Sequence, residues 1–193
     1  MKTSDKKRLT VVDWEEAALD VIAEQGVDAL AVEPLARKLG VTKGSFYWHF
    51  GSRDELLYSA LKHWLDEESR MVEDIRAIAD PGQRLVRLFQ LAAQEHPSHK
   101  LLSALFQAQG DETIAHLLEQ ISAQRLASLS EAFRQLGMAE DQAHDRALLA
   151  YTAYVGFLQL VRKSHGVKMT HDEFERYINH MIATLIPSSP SSP

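Results

Sequence analysis

No cysteine occurs among the 193 residues. That excludes disulfides, a thiolate nucleophile and any cysteine-based metal site. No apolar run approaches the roughly 18 residues of a membrane span, and none is expected. The opening MKTSDKKRLT lacks the apolar stretch of a secretory signal, so the expected location is the cytoplasm. Alternating strand-like patterns are short and scattered. There is no Gly-x-Ser-x-Gly elbow, no glycine-rich phosphate loop and no His-Glu-x-x-His helix. His96 and His99 flank Pro97, while the adjacent His144 and Asp145 diverge on a helix. The nine histidines therefore assemble no expected metal site and no catalytic set. A surplus of base is missing too, with a net charge of -6. Residues 1–64 hold nine Lys/Arg against ten Asp/Glu, and the remainder 12 against 17. Any affinity for nucleic acid must then come from placing cations on one face.

What is present is helical spacing nearly everywhere, so the expected class is all-α with about nine helices. The first helix is expected over about Leu9 to Gln25, with Val11, Trp14, Ala18, Val21 and Ile22 on one face and Gly26 ending it. A short helix follows from about Val32 to Leu39, with Pro34 in its first turn and Gly40 stopping it. A third is expected from Thr42 to Phe50. Ser52 and Glu55 read as a capping box for a long fourth helix reaching about Ala79. Asp80-Pro81-Gly82 is the clearest break. Helical patterns continue over 81–95, 98–109, 113–136, 141–164 and 171–186, the last opened by a Thr170/Glu173 capping box. The expected domains are 8–64, 65–187 and a low-complexity tail at 188–193, expected to be disordered.

The informative stretch is Leu30 to Phe50, LAVEPLARKLGVTKGSFYWHF. Two short helices joined through Leu39-Gly40-Val41 form a helix-turn-helix pattern. Leu35, Ala36, Leu39, Val41 and Phe46 supply its small core, with Phe50 also assigned inward. Lys43, Gly44 and Ser45 open the second helix, where free N–H groups favour a phosphate oxygen. Tyr47, Trp48 and His49 follow on successive faces. Arg37, Lys38, Lys43 and Arg53 bracket the motif, whereas Asp13, Glu15, Glu16, Asp20 and Glu24 lie on the first helix. The Lys6–Arg8 cluster is either a solvated tail or an arm reaching DNA. The run Phe46-Tyr47-Trp48-His49-Phe50, followed by a loop and Asp54-Glu55-Leu56-Leu57, resembles the TetR family of transcriptional regulators, over about residues 9–64. The resemblance implies a three-helix DNA-binding domain, a larger C-terminal helical domain that binds a small-molecule effector, and a homodimer formed by the last two long helices. The family's operator contacts fall here on Thr42, Lys43, Gly44, Ser45, Tyr47, His49 and Arg53. Many members carry a threonine at the start of the first motif helix. Here those places are Ala31 and Val32, so that hydroxyl cap is absent.

In the second half, Ala147, Ala150, Ala153 and Gly156 form a stripe of small residues on a helix with almost no polar face. Together with Tyr154, Phe157, Phe174, Ile178 and Met181 they are expected to build a twofold four-helix interface. For the effector that the resemblance implies, the candidate walls are Trp64, Phe89, Phe106, Leu117, Phe133, Tyr151 and Tyr154. His63, Gln90, Gln107 and His116 are candidates to orient it. The expected partners are duplex operator DNA, a second copy of the chain and an effector, with no membrane and no cofactor. The expected function is a ligand-responsive repressor binding a palindromic operator. An activator shares every residue named. A protein-binding adaptor would leave the 42–53 surface unused, and a small helical enzyme would need a polar constellation that is not visible.

Overall fold

Nine α-helices and no strand are found among the described residues, which in this computed structural model are 9–94, 97–160 and 169–186. The Lys6–Arg8 cluster, His96 and the 188–193 tail lie outside the described residues. Contacts divide the chain into two units, one ending at Arg70 and the other starting at Met71.

The first unit begins with α1 (Val11–Gln25), a 3-10 turn (Val27–Ala29), α2 (Val32–Lys38) and α3 (Lys43–Phe46). It continues into α4 (Arg53–Arg76), which contains the division. A capping box not foreseen from sequence starts α1. Thr10 Oγ1 accepts from Asp13 N, and the Asp13 carboxylate accepts from Thr10 N at 2.6 Å. It uses Asp rather than the usual Glu or Gln. Gly40 has φ +69, a conformation that strains any residue with a Cβ. It lets Val41 N reach Ala36 O at 3.0 Å, which closes the turn between α2 and α3. Ala31, at the N-cap of α2, makes no side-chain cap, in line with the missing threonine.

The helix expected over Thr42 to Phe50 is regular only from Lys43 to Phe46. It then tightens, with both His49 N and Phe50 N donating to Phe46 O at 2.9 and 3.0 Å. Phe46 and Phe50 are both buried across this turn, which ends at Gly51. Ser52 Oγ accepts from Glu55 N at 3.1 Å, and the Glu55 carboxylate accepts from Gly51 N at 2.7 Å. The expected box is therefore closed one residue upstream. Trp14, Ile22, Leu35, Phe46, Leu56 and Ala60 are almost completely buried in this unit.

The second unit holds α5 (Pro81–Ala93), α6 (Pro97–Gln107), α7 (Glu112–Gln135), α8 (Glu140–Leu160) and α9 (His171–Leu185). The break at Asp80 is a helix start: Asp80 caps α5 through Gln83 N, and Pro81 takes the first position, where an N–H is not needed. Asp111 caps α7 through Thr113 N and Ile114 N. The expected Thr170/Glu173 box opens α9. Its hydrogen bonds from Thr170 hold the Glu173 carboxyl below the usual carboxylate range.

One core runs through α5, α7, α8 and α9, built from Leu85, Phe89, Ala132, Phe133, Ala143, Ala147, Ala150, Met181 and Leu185. Ala147, Ala150 and Met181 are buried inside the subunit, and Ile178 is equally covered. Of the small-residue stripe, Ala147 and Ala150 are covered by helices of the same chain, Ala153 is partly covered, and the space beside Gly156 is open. Phe157 stacks on Phe174 at 4.7 Å between ring centroids and on Tyr177 at 6.2 Å. Leu148, Leu149 and Leu160 of α8 are left exposed instead.

Candidate nucleic-acid interface

Phe46 and Phe50, four apart and so on one helix face, turn inward together, while Lys43 and Tyr47 beside them are exposed. Phe46 meets Trp14 edge-on at 5.5 Å, Phe50 at 5.6 Å and Tyr47 at 5.2 Å. On that aromatic base stands a polar ridge. Thr42, Lys43 and Gly44 are exposed, while Ser45 and His49 are half-buried. Tyr47 is 56% exposed and Trp48 83%. Of the expected contacts, six therefore stand together on one short segment. Trp48 was not among them. Five consecutive aromatic or imidazole rings cannot all enter so small a core, and that excess was the available signal.

Two lysines of the motif are paired with carboxylates. Lys43 Nζ donates to Glu33 Oε1 at 2.8 Å across α3 and α2, and Lys38 Nζ to Asp20 Oδ2 at 3.3 Å across α2 and α1. The hydrogen bond and charge of Lys43 hold the Glu33 carboxyl below its ordinary range, and Glu33 in turn raises Lys43.

Arg53, expected on DNA, is turned inward. Its Nε donates to Leu30 O at 3.2 Å, Nη2 to Val27 O at 2.8 Å and Nη1 to Asp54 at 3.0 Å. The guanidinium ties the start of α4 to the chain entering α2. Its fixed fork of donors suits two carbonyls at once. Replacing Arg53 with alanine is expected to lower the stability of this unit by about 1.5–3 kcal/mol, since charged hydrogen bonds are lost and carbonyls orphaned. Urea denaturation checks this; an unchanged midpoint would return Arg53 to the exterior.

A second polar tie joins α1 to α4. Glu15 is buried, accepts from Ser59 Oγ, and lies 3.7 Å from His63 Nδ1. His63 Nε2 is 3.7 Å from Glu67. His63 thus sits between two carboxylates of the first unit, and Trp64 beside it in sequence is buried.

The effector candidates in the second unit separate into groups. Phe89 belongs to the α5–α9 core. His116 is exposed and lies 3.8 Å from Glu119 of its own helix. Tyr151 and Tyr154 are 6.4 Å apart between ring centroids. Around them gather groups that sequence did not connect: buried His99 of α6, edge-on to Tyr154 at 5.7 Å; Arg125 of α7, 5.7 Å from the same ring; and Ser122 Oγ, 3.0 Å from the Tyr151 hydroxyl. Phe106 is half-buried at the end of α6. No cluster of three metal-ligating side chains and no helix long and apolar enough to cross a membrane occurs among the described residues.

The sequence model described as "Bacterial regulatory proteins, tetR family" matches residues 16–60. The chain is 33% identical over 142 residues to the HTH-type transcriptional regulator BetI of Rhizobium meliloti, covering 70% of this chain and 68% of BetI. Its matches to other curated regulators span only 24 to 50% of their lengths. In fold it resembles a transcriptional regulator from Rhodococcus, with a TM-score of 0.73 and 19% identity over 96% of this chain and all of that one. It also resembles AibR, solved in complex with isovaleryl coenzyme A and operator DNA. There the TM-score is 0.69 with 18% identity, covering 92% of this chain and 98% of AibR.

Proposed function

The chain belongs to the TetR family of bacterial regulatory proteins, and on that premise we propose that it is a cytoplasmic homodimeric repressor released from a palindromic operator by a small-molecule effector. The observation that carries the reading is the ridge of Thr42, Lys43, Tyr47 and Trp48, held outward by Phe46 and Phe50. It offers amine, hydroxyl and indole donors to base edges and phosphates of a major groove. Ser45 and His49 flank the ridge, and Gly44 keeps its backbone uncovered. Two copies per dimer would read half-sites about one duplex turn apart.

Fluorescence anisotropy with duplex taken from upstream of the chain's own gene tests this. Tyr47→Ala is expected to weaken binding about 10- to 100-fold, or roughly 1–3 kcal/mol, with the helical circular dichroism unchanged. Unaltered affinity would remove the ridge from the interface. Trp48 is the exposed one of the three tryptophans, the other two being buried. Its emission is therefore expected to change on binding.

For the effector, the cluster of Tyr151, Tyr154, His99, Arg125 and Ser122, with Phe106 nearby in α6, combines aromatic walls with convergent donors. His116, exposed, and Phe89, in the core, are not part of it, and His63 and Trp64 belong to the first unit. AibR is solved with a coenzyme A ester and DNA, an arrangement that supports an effector-and-operator protein here. The partner surface is assigned to the exposed apolar residues of α8, Leu148, Leu149 and Leu160.

A further inference from the structure

The Glu33–Lys43 pair raises a question that stability does not answer. Both side chains are largely exposed, at 64% and 50%, and exposed pairs of this kind contribute little to folding. Yet the pair joins the two helices of the motif at 2.8 Å, on the cation at the head of the ridge. Glu33 is the acid nearest that cation. Arg37, one turn along α2, acts on Glu33 more weakly than Lys43 does. The Tyr47 phenol acts on Lys43 from its own side.

We infer that Glu33 competes with DNA phosphate for Lys43 and so restrains binding to duplex of any sequence. The inference rests on the regulator reading above. Binding to arbitrary duplex draws its free energy from phosphate neutralisation and the release of condensed counterions. A free lysine that meets a phosphate releases nearly one cation from DNA. Here Lys43 must first leave Glu33, whose freed carboxylate recruits a cation in exchange. The two terms offset, so the Lys43 contact adds little affinity and little salt dependence. The near-neutral charge of residues 1–64 is then partly a built-in restraint.

The test uses the full chain and a labelled duplex of scrambled sequence, with the upstream duplex alongside. Anisotropy is read across about 50–200 mM KCl for wild type, Glu33→Gln, Lys43→Ala and the double variant. Glu33→Gln is expected to tighten binding to the scrambled duplex about fivefold to tenfold at the low-salt end. It should also steepen the slope of log affinity against log salt by up to about 0.9, the value for one added phosphate contact. In the Lys43→Ala background, Glu33→Gln is expected to leave the slope unchanged. Thermal unfolding of each variant confirms that the motif is folded.

An unchanged slope and affinity in Glu33→Gln overturns the inference. So does an equal gain with or without Lys43, because Glu33 would then act by simple repulsion. Wild-type protein that binds neither duplex at any salt overturns the regulator reading itself, a result distinct from both.

Discussion

Replacing Phe46 with alanine is expected to cost about 3–5 kcal/mol of stability in the first unit, the usual range for emptying an aromatic site in a core. Phe46 is 0% exposed. It packs edge-on to Trp14 of α1 at 5.5 Å and against Phe50 at 5.6 Å, so the substitution opens a void where three segments meet. A helix of one turn has no stability of its own, because its nucleation is not repaid by further hydrogen bonds. Only the packing beneath α3 holds the ridge in place. DNA binding should therefore disappear together with the near-ultraviolet signal of the buried aromatic cluster. Tyr47→Ala, at the next residue, should weaken binding and keep its melting temperature. The pair separates anchor from contact. If Phe46→Ala melts like wild type and still binds, the aromatic base is not what positions the ridge.

The second large effect concerns two neighbours on α8. Leu149 is 57% exposed, while Ala150 is 2% exposed and packed among Leu85, Phe89 and Met181. Leu149→Glu is expected to leave the subunit folded and to shift the chain from dimer to monomer at micromolar concentration, because a charge would be buried unpaired at the proposed partner surface. Ala150→Leu is expected to lower stability by about 1–3 kcal/mol through overpacking and to leave the dimer in place. Sedimentation velocity and thermal melting read both outcomes. The opposite pattern, with Ala150→Leu dissociating the dimer at full stability, would return the alanine stripe to the interface.

The first experiment falls where sequence and structure agree, and the second where the covered face of α8 was not legible in the sequence. Periodicity located every helix in the described residues, since an apolar stripe at 3.6-residue spacing is a local property. Caps were readable for the same reason: Thr170 with Glu173, and Gly26 and Gly40 at positive φ, act within a few residues. The Thr10/Asp13 box was missed because Asp is the less usual partner at that position. The motif was legible down to which rings turn inward, because Phe46 and Phe50 are one helical turn apart and a short helix has one inner face. The split roles of Lys43 and Arg53 were not legible. Both are basic residues beside the motif, and only their neighbours differ. Lys43 meets a carboxylate from another helix, whereas Arg53 meets two carbonyls more than twenty residues upstream.

What the chain's order of residues determined alone was the all-helical class, the helix-turn-helix and its outward ridge, each set by spacing along a single helix or turn. What only tertiary structure decided was which face of α8 is spent inside the subunit, which polar groups gather around Tyr151 and Tyr154, and which cation already has a carboxylate. From Ala147 onward α8 is apolar on nearly every side, so its own sequence cannot rank its faces. The helices packed against it do so, by covering Ala147 and Ala150 and leaving Leu149 and Leu160 to solvent.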